Sequence, residues 1–491
     1  MKKINELYKV MERKTRVIQF GEGNFLRAFA DYMIDIMNEQ GLFDGNILLV
    51  KPIPMGSLQR FRDQENLYTV ELRGMVDGEG KRIDRVVKSI AGTVDCYSEY
   101  DSYIENIKNP DLRFVISNTT EAGIVYSETD TPDMTPPSSF PAKLCQFLYR
   151  RAEYFDYAPD KGLVMLPVEL IDDNGHVLKA CVEKLSKRWQ LGERFDQWLR
   201  ESCVFTSTLV DRIVTGYPRG EDEQLWQSWG YKDELITTGE PFGLWVIESD
   251  KDISSELPFE KAGLPVLFTD DQKPYKQRKV RILNGAHTGF VLASFLKGND
   301  TVGESMNDDT VLTFIKRLVY DEVIPTLTLP REDLLSFADA VLTRFRNPFV
   351  KHMLLSISLN SVSKWRARCM PSLLDSVKNT GRLPRCLAFS LAALIAFYTT
   401  PADGAVTNDA LTGIRGGGTY EIRDGRDELA FFGALCGSAR AVQADKVLGN
   451  TAFWGQNLRA VPGLTAFVTE QLESISSAGM ENTLKALLGL E

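Results

Sequence analysis

Arg-Val-Ile-Gln-Phe-Gly-Glu-Gly-Asn-Phe-Leu-Arg, residues 16–27, is the stretch that decides the fold of the N-terminal half. Residues 16–20 predict a short buried strand, the glycines break it, and residues 24–38 predict a helix that stops at Gly41. Residues 46–53 predict a second strand. A strand, turn, helix and strand in this order predict a parallel sheet, so the chain is assigned to the α/β class.

The two glycines of this stretch, Gly21 and Gly23, predict a dinucleotide-binding turn. Without side chains they let the backbone approach a pyrophosphate, and the following helix offers amide donors and the positive end of its dipole. The match to G-x-G-x-x-G is partial, because Leu26 occupies the third glycine position. The alternative is an ordinary strand-to-helix turn. The predicted cofactor-binding residues of this segment are Ile18, Gln19, Phe20, Gly21, Glu22, Gly23, Asn24, Phe25, Leu26 and Arg27.

Residues after two later strands bear on the same site. Residues 113–117 predict a buried strand, and Asn118, Thr119 and Thr120 follow it, where ligands lie across the carboxyl ends of a parallel sheet. We predict Asn118 and Thr119 to bind the cofactor, with plain turn residues as the alternative. The second strand ends in Lys51, where an acidic residue is usual for NAD. A lysine there would tolerate a 2′-phosphate, so this position leaves both NAD and NADP open.

A change of pattern near residue 270 divides the chain. Before it, residues 68–73, 85–90 and 163–167 predict further strands and residues 99–108 predict a helix. After it, long helical segments dominate, and Gly-Ile-Arg-Gly-Gly-Gly at 413–418 predicts a flexible loop between late helices. We therefore predict a dinucleotide-binding, Rossmann-type domain over residues 1–270 and a mainly α-helical substrate and catalytic domain over residues 271–491.

Lys-Val-Arg-Ile-Leu-Asn-Gly-Ala-His, residues 279–287, is the strongest candidate for chemistry. On an α-helix, Asn284 lies about 140° and His287 about 80° from Lys279, so all three can face one cleft. A lysine that can lose its proton, beside an amide and an imidazole, suits proton transfer at a substrate hydroxyl oxygen. The alternatives are a solvated basic helix start for Lys279 and a hydrogen-bonded core histidine for His287.

A second basic cluster, Arg-Phe-Arg-Asn-Pro-Phe-Val-Lys-His, spans residues 344–352. Asn347 predicts an N-cap and Pro348 the first position of a helix. Arg344 and Lys351 are candidates to hold a carboxylate or a polyol, because guanidinium and ammonium groups bind both through charge-assisted hydrogen bonds. The alternative for this cluster is a solvated charged face.

The composition argues against several classes of function. The net charge of −10 does not suit nucleic acid, whose affinity rests largely on neutralised phosphates. Seven cysteines without a C-x-x-C pair indicate reduced thiols in a cytoplasmic protein, and three histidines do not favour a metal site. The N-terminus has no signal-peptide core, and the longest apolar stretch, residues 386–398, is too short to span a bilayer and predicts a buried helix. We expect no metal, nucleic-acid partner or membrane association.

Five segments carry a resemblance to a known family. They are Gly-Glu-Gly-Asn-Phe-Leu-Arg-Ala-Phe (21–29), Ser-Asn-Thr-Thr-Glu-Ala-Gly (117–123), Leu-Val-Asp-Arg-Ile-Val-Thr-Gly-Tyr-Pro (209–218), and residues 279–287 and 344–348. Over nearly its whole length the chain resembles the polyol-specific long-chain dehydrogenases, the mannitol dehydrogenase family. The resemblance implies a Rossmann-type N-terminal domain, a largely helical C-terminal domain, NAD as the cofactor and catalysis without a metal.

The resemblance also implies roles for single residues. Lys279 matches the general acid or base of the family, Asn284 an amide that polarises the reacting oxygen, and His287 a residue that orients the substrate. Glu169 and Leu170 stand where the family carries an Asp-Asn pair that includes a second oxyanion donor. Substrate-binding residues are predicted in matching regions or, for the amide, close to that pair: Asp211, Arg344, Lys351 and Asn174.

Three departures from the family pattern bear on the substrate: two favour tagaturonate over fructuronate and mannitol, and one favours an acidic sugar over a neutral polyol. Leu26 and Phe29 stand where mannitol and fructuronate enzymes carry histidines, and Lys276 stands where mannitol enzymes tend to carry an acid. A lysine suits a substrate that bears a carboxylate. The resemblance therefore implies interconversion of D-tagaturonate, a hexuronate, and D-altronate, an aldonate. The alternatives are D-fructuronate reduction, a mannitol-type oxidation, and a cofactor-binding protein without catalysis.

Overall fold

The computed structural model describes residues 1–76, 79–119, 123–349, 351–400 and 404–490. The chain forms two compact units, Met1–Gln272 and Lys273–Glu491. The first unit is a mixture of strands and helices, and the second is mainly helical.

The first unit alternates strands with helices. Its strands are β1 (Lys2–Lys3), β2 (Thr15–Phe20), β3 (Asn46–Lys51), β4 (Tyr68–Val76), β5 (Glu79–Val87), β6 (Ile90–Asp95), β7 (Phe114–Ser117), β8 (Val164–Pro167), β9 (Val204–Phe205), β10 (Ser207–Asp211), β11 (Val214–Gly216), β12 (Tyr231–Lys232), β13 (Thr237–Gly239), β14 (Leu244–Glu248) and β15 (Val266–Thr269). Its helices are α1 (Ile4–Leu7), α2 (Asn24–Leu26), α3 (Tyr32–Glu39), α4 (Gln59–Asp63), α5 (Tyr100–Ile104), α6 (Phe140–Tyr154), α7 (Asn174–Trp189), α8 (Glu193–Ser202) and α9 (Asp222–Trp229). A π-helical segment, Arg27–Asp31, joins α2 to α3, and 3₁₀ turns span Glu105–Lys108 and Pro159–Lys161.

Six strands of the first unit form a parallel sheet in the order β6-β3-β2-β7-β8-β9. This corresponds to the 3-2-1-4-5-6 order of a doubly wound sheet, in which the order reverses between β2 and β7. In such sheets a ligand lies outside the carboxyl ends of the strands at the point of reversal. The predicted α/β class and its parallel sheet are confirmed.

Both faces of this sheet are buried. Alternate residues point to opposite faces, so Val17 and Ile47 pack in one apolar cluster while Ile18 and Val50 pack in another. A strand that is buried on both faces is rich in apolar residues that do not alternate with polar ones. The apolar runs at 17–18 and 114–116 are the signal that predicts the strands at 16–20 and 113–117.

Among the described residues, three smaller sheets complete the first unit, with strand orders β11-β13-β4-β5, β10-β14-β15 and β1-β12. The strand predicted over residues 85–90 is wrong in extent, because β5 ends at Val87 and β6 begins at Ile90. Val87 pairs with Tyr68 in one sheet, whereas Ile90 pairs with Ile47 in the parallel sheet. The apolar run at this position therefore crosses from one sheet to the other.

The second unit is mainly helical. Its helices are α10 (Lys273–Arg278), α11 (Gly285–Lys297), α12 (Val302–Asn307), α13 (Asp309–Lys316), α14 (Arg331–Phe345), α15 (Leu354–Ile357), α16 (Ser361–Arg368), α17 (Met370–Thr380), α18 (Arg385–Tyr398), α19 (Arg426–Gly433), α20 (Arg440–Leu448), α21 (Thr451–Trp454) and α22 (Leu464–Leu488). π-helical segments span Lys279–Asn284 and Arg317–Val323, and 3₁₀ turns span Ile324–Thr326 and Leu458–Ala460. Its strands are β16 (Val406–Thr407), β17 (Ala410–Arg415) and β18 (Gly418–Ile422).

Helix α18 forms the centre of the second unit. Every residue from Cys386 to Tyr398 is buried, which confirms the buried helix predicted there. The helix packs against α11 and α22, so it supports the helix that carries His287. In the part of the chain that the structure describes, no helix combines the length and apolar character needed to cross a membrane.

Two predictions for the second unit are wrong. Residues 413–418 lie within and between β17 and β18 of an antiparallel sheet, not in a flexible loop. Gly413 is required there because a β-carbon would lie 2.3 Å from the ring of its cross-strand partner Tyr420. Pro348 does not begin a helix, since α14 ends at Phe345 and Asn347 Oδ1 accepts a hydrogen bond from the Phe349 amide (3.0 Å) in a turn.

Candidate active site

The turn after β2 is shaped by its two glycines. Gly21 has a φ of +123°, and a β-carbon there would lie 2.9 Å from the carbonyl oxygen of Asn118. Gly23 is exposed, and a β-carbon there would meet no atom within 4 Å. Gly21 therefore lets the two loops at the reversal point approach closely, while Gly23 leaves open space above the turn.

The helical run after this turn has an uncapped start. Helix α2 begins at Asn24, and its N-cap is Gly23. A glycine has no side chain to accept a hydrogen bond from the first amides of the helix. The run continues through the π-helical segment to Glu39. Amides at a helix N-terminus, together with the positive end of the helix dipole, favour a pyrophosphate. The turn therefore fits a dinucleotide.

The side chains of several predicted cofactor residues are buried in the first unit. Ile18 and Phe20 are fully buried in the cores on the sheet faces. Gln19 is also buried, and its Nε2 donates to the carbonyl oxygen of Gly21 at 3.1 Å. These three side chains hold the strand and the turn in place. Glu22, Asn24 and Phe25 are half-buried and remain predicted cofactor contacts.

Leu26 and Arg27 turn into the protein, contrary to the prediction that they bind the cofactor. Leu26 is 1% exposed. Arg27 Nη1 donates to the carbonyl oxygen of Leu235 at 2.6 Å, and its guanidinium lies over the rings of Phe61 and Tyr68. Burial lowers the pKa of Arg27 below its ordinary value. The side chain therefore fastens the helix to neighbouring elements of the first unit.

Phe29 and Leu26, the two positions that depart from the histidines of related enzymes, are core positions. Phe29 is fully buried, with its ring 4.9 Å from that of Phe25 and 5.3 Å from that of Trp245. The side chains of Leu26 and Phe29 therefore pack in the core of the first unit.

A buried carboxylate holds the loop after β7. Glu169 Oε1 accepts hydrogen bonds from the amide and hydroxyl of Thr119 at 3.0 and 2.9 Å, and Oε2 accepts from Ser117 Oγ at 3.1 Å. Burial raises the pKa of Glu169, and these hydrogen bonds oppose that effect. The carboxylate fixes Asn118 and Thr119, both half-buried, beside the glycine turn. Thr120 lies outside the described residues.

Asn174 is a structural residue, contrary to the prediction that it contacts substrate. It is fully buried, and its Nδ2 donates to the carbonyl oxygens of Pro167 and Glu169 at 3.0 Å. Its Oδ1 accepts from the Thr208 amide at 2.8 Å. The amide therefore ties β8 to β10. Asp211, at the end of β10, is half-buried and stays a predicted substrate contact.

Lys279 and Asn284 are the first and last residues of a π-helical segment. Its register is i→i+5, as in the bond from the Gly285 amide to the carbonyl oxygen of Val280. In this wider register each residue turns through less than the 100° of an α-helix, so Lys279 and Asn284 are separated by less than the 140° that an α-helix would give. The predicted angle is therefore too large, and these two half-buried side chains lie nearer to one face.

His287 lies almost one turn further along, in α11. Its ring stacks on Phe345 with centroids 4.1 Å apart and meets His352 edge-on at 5.3 Å. Its Nε2 is buried and has no hydrogen-bond partner among the described residues. Burial, and then the neighbouring His352, lower the pKa of His287 well below its ordinary value. The imidazole is therefore neutral at physiological pH.

Three further cations depress the pKa of His287, after burial and His352. They are Arg344, Arg368 and Lys364. Arg368 Nη1 donates to Thr288 Oγ1 at 3.3 Å, and burial lowers the pKa of both Lys364 and Arg368. This cationic cluster, defined by Arg344, Lys364 and Arg368, suits an anionic ligand. Of the basic segment at 344–352, Lys351 is exposed and remains a predicted substrate contact.

Lys364 and Arg368 were not found by sequence reasoning. They lie four residues apart on α16 and so share a face, but a Lys-x-x-x-Arg spacing is common on solvated helices. Their place beside His287 depends on the packing of α16 against α11. Gly285 allows this approach, because a β-carbon there would lie 3.2 Å from the carbonyl oxygen of Arg368.

These features define a class of enzyme. A glycine turn at the reversal point of a doubly wound sheet fits a dinucleotide. A lysine and an amide nearly on one face, followed by a neutral imidazole and cations, fit proton transfer at the oxygen of an alcohol or ketone. The chain is a dinucleotide-dependent oxidoreductase.

Comparison with known proteins gives the family. Residues 15–261 match the mannitol dehydrogenase Rossmann domain, and residues 271–476 match the mannitol dehydrogenase C-terminal domain. The chain belongs to the mannitol dehydrogenase family. The altronate oxidoreductase of Yersinia enterocolitica is 45% identical over 478 residues, which cover 96% of each chain. Those of Klebsiella pneumoniae strain 342 (45% over 479 residues, 96% of each chain) and Pectobacterium atrosepticum (46% over 472 residues, 95% of each chain) are similarly related.

Two solved structures share the fold over the whole chain. D-sorbitol dehydrogenase in its substrate-free form has a TM-score of 0.78 at 21% identity, covering 97% of this chain and 96% of that one. Pseudomonas fluorescens mannitol 2-dehydrogenase, solved with NAD and D-mannitol, has a TM-score of 0.66 at 24% identity, covering 98% and 96%. These similarities confirm a Rossmann-like domain followed by a helical domain.

Proposed function

We propose that this chain is an NAD-dependent oxidoreductase that interconverts D-tagaturonate and D-altronate in hexuronate catabolism. The observation that carries the proposal is the 45% identity to altronate oxidoreductase over 96% of both chains. Identity to the solved mannitol 2-dehydrogenase is 24%. When bound, NADH supplies a hydride to the carbonyl carbon of the keto acid.

Lys279 is the proton-transfer group of this mechanism. In the reductive direction its ammonium donates a proton to the substrate carbonyl oxygen, which becomes the new hydroxyl of altronate. In the oxidative direction the neutral amine accepts that hydroxyl proton. Asn284 ends the π-helical segment that Lys279 begins, and its side-chain N–H is the group proposed to stabilise negative charge as it develops on the oxygen.

His287 orients the substrate as a neutral imidazole. A neutral ring has one nitrogen that donates and one that accepts, so it can bond a sugar hydroxyl in either sense. Its buried Nε2 has no partner in the described part of the chain, and a buried polar atom of this kind needs one. The stacked ring of Phe345 fixes the plane of the imidazole.

The cationic cluster holds the substrate carboxylate. A hexuronate or aldonate carboxylate carries a charge opposite to that of these cations and can accept hydrogen bonds from them, whereas a neutral polyol brings no charge. Lys364 also has a lowered pKa, caused by burial and by Arg368, and is the competing candidate for proton transfer. We assign it to the carboxylate because it shares a helical face with Arg368 and donates to the carbonyl oxygen of Ile357 at 3.0 Å.

The test compares an acidic and a neutral ketose. With saturating NADH, we expect rapid consumption with D-tagaturonate and at least about a hundredfold lower kcat/KM with D-fructose, because two charge-assisted bonds are lost. Arg368→Gln should raise KM for tagaturonate about tenfold and leave NADH affinity unchanged. Arg366→Gln is the matched control, since Arg366 is exposed on the same helix. Equal turnover of both ketoses would contradict the proposed substrate class.

A further inference from the structure

Lys51 stands at the carboxyl end of β3. In dinucleotide-binding sheets an acidic residue at this position binds the ribose 2′-hydroxyl of NAD, and a basic residue nearby accommodates the 2′-phosphate of NADP. From its type and position alone, Lys51 would therefore suit NADP. Its contacts in the structure indicate the opposite preference, for NAD.

The ammonium of Lys51 has no donor left for a ligand. Its side chain is 1% exposed. Nζ donates to the carbonyl oxygens of Ile53 at 2.6 Å and Met55 at 3.3 Å, and it pairs with Asp95 Oδ2 at 3.1 Å. An ammonium group has three N–H donors, and these three acceptors use all of them. Lys51 thus holds the segment after β3 in place through hydrogen bonds to its backbone carbonyl groups.

Two carboxylates lie around this single cation. Asp95 ends β6 and is the register partner of Lys51 across the parallel pair β3 and β6. Glu22, in the glycine turn, places Oε1 3.7 Å from a β-carbon built on Gly56, which itself lies 3.9 Å from Lys51 Cδ. Burial raises the pKa of Glu22 and Asp95 adds to this effect, while Lys51 and Arg27 oppose it. Because Asp95 offsets the charge of Lys51, the ionised form of Glu22 gives this group of three residues a net negative charge.

We infer that Asp95 selects NAD over NADP by engaging Lys51 and leaving a net negative charge at the end of β3. A 2′-phosphate would meet two carboxylates and a lysine without a free N–H, whereas a 2′-hydroxyl is uncharged and is not repelled. Asp95 is thus a specificity-determining residue that acts partly through Lys51. The inference rests on the proposed function only through its use of a nicotinamide dinucleotide.

Binding of NADH and NADPH to the full chain, without substrate, tests the inference. Asp95→Asn retains an oxygen that can accept the amide bond of Tyr97 (3.0 Å to Oδ1) but removes the charge that holds Lys51. By fluorescence titration we expect the NADPH Kd to fall at least about tenfold, the effect of one charge-assisted bond, while the NADH Kd changes by less than about threefold. Asp101→Asn is the control, because Asp101 is exposed and the change in net charge is the same. Its ratio of NADPH to NADH affinity should stay at the wild-type value.

Lys51→Met tests the charge balance of this group. Loss of Lys51 releases the segment after β3, which weakens NADH and NADPH alike, and it also leaves Asp95 without its counter-charge, which disfavours a 2′-phosphate further. A ratio of NADPH to NADH affinity above the wild-type value would show that Lys51 does not offset Asp95 and would overturn the inference. If Asp95→Asn binds NADH normally and its ratio of NADPH to NADH affinity equals the wild-type value, the inference is also overturned. The proposed function is not affected by that result. Absence of NADH binding by the wild-type chain would overturn the proposed function as well.

Discussion

The π-helical segments Arg27–Asp31 and Lys279–Asn284 lie in the two motifs that the sequence marks out, and they differ in what they bury. All five side chains of the first segment are buried. In the second segment only Ile282 and Leu283 are buried, while Lys279 and Asn284 are half-buried. The same distortion of a helix therefore accompanies two kinds of site, one that offers backbone to a ligand and one that offers side chains.

In the first segment, Asp31 shows the free-energy cost of burying a carboxyl group that has a structural role. Asp31 is fully buried, accepts from Tyr68 Oη at 2.8 Å and from Gln19 Nε2 at 3.4 Å, and has its other oxygen unpartnered among the described residues. Burial raises the pKa of Asp31 to about 7. The second segment avoids this cost because its polar side chains stay partly accessible.

Removal of the Lys279 side chain should produce the largest effect. If this lysine transfers the proton, Lys279→Ala lowers kcat for tagaturonate by about a thousandfold, within the range of general acid–base catalysis, and leaves the NADH Kd unchanged. Lys273→Ala, an exposed position on the preceding helix, is the control. Steady-state rates and NADH titration check both. A thousandfold loss of kcat in Lys364→Ala, with only a mild loss in Lys279→Ala, would contradict this assignment. Lys364 would then be the proton-transfer group.

Asp31→Asn tests the buried side of the comparison. With a folded pKa of about 7 and an ordinary value of 3.8, protonated Asp31 contributes stability that is complete below about pH 4 and lost as pH rises to about 7. The upper bound of that change is about 4 kcal/mol. The Tm of Asp31→Asn relative to wild type should therefore increase between about pH 5 and pH 8. Parallel Tm curves across this range would show that Asp31 is not titrated.

Alanine at the two glycines separates structure from binding in the turn. Gly21→Ala should lower stability by about 1–3 kcal/mol, because of its positive φ and the contact with the Asn118 carbonyl. Gly23→Ala should leave Tm nearly unchanged, since a β-carbon has room there, but weaken NADH binding if the pyrophosphate crosses this residue. Thermal unfolding and NADH titration distinguish the two. Full NADH affinity in Gly23→Ala would place the pyrophosphate elsewhere.

The smallest effect is expected at Phe29. As a core residue, Phe29→Leu should cost about 1 kcal/mol of stability through imperfect packing against Phe25 and Trp245. The ratio of kcat/KM for D-tagaturonate and D-fructuronate should not change. Measurement of that ratio beside the Tm checks the interpretation. A shifted ratio at unchanged Tm would restore Phe29 as a substrate marker.

The sequence predicts the first unit better than the second for a physical reason. Strands buried on both faces, such as β2 and β7, contain short apolar runs and are followed by glycine or polar residues, so local pattern is sufficient. The glycine-rich run at 413–418 gives a wrong prediction, because Gly413 makes room for the ring of its cross-strand partner Tyr420. Local composition does not show such a cross-strand contact. Asn347 and Pro348 have the chemistry of a helix start but lie in a turn.

The residues of the site also divide into those that local sequence spacing predicts and those that depend on packing between helices. Lys279, Asn284 and His287 were predicted from their spacing, and the π-helical register brings residues five apart nearer to one face. Lys364 and Arg368 depend on the packing of α16 against α11, which no local pattern encodes. Asn174 was misassigned because its three carbonyl acceptors come from separate strands and loops that sequence neighbourhood does not reveal.

NADH oxidation by the wild-type chain with D-tagaturonate and D-fructuronate side by side tests the central claim most directly. Both substrates carry a carboxylate, so the cationic cluster alone does not separate them, and the preference reports the specific reaction. The account predicts a clearly higher kcat/KM for D-tagaturonate, with D-altronate as the product. A clear preference for D-fructuronate would contradict the proposed substrate while leaving the fold and the family unchanged.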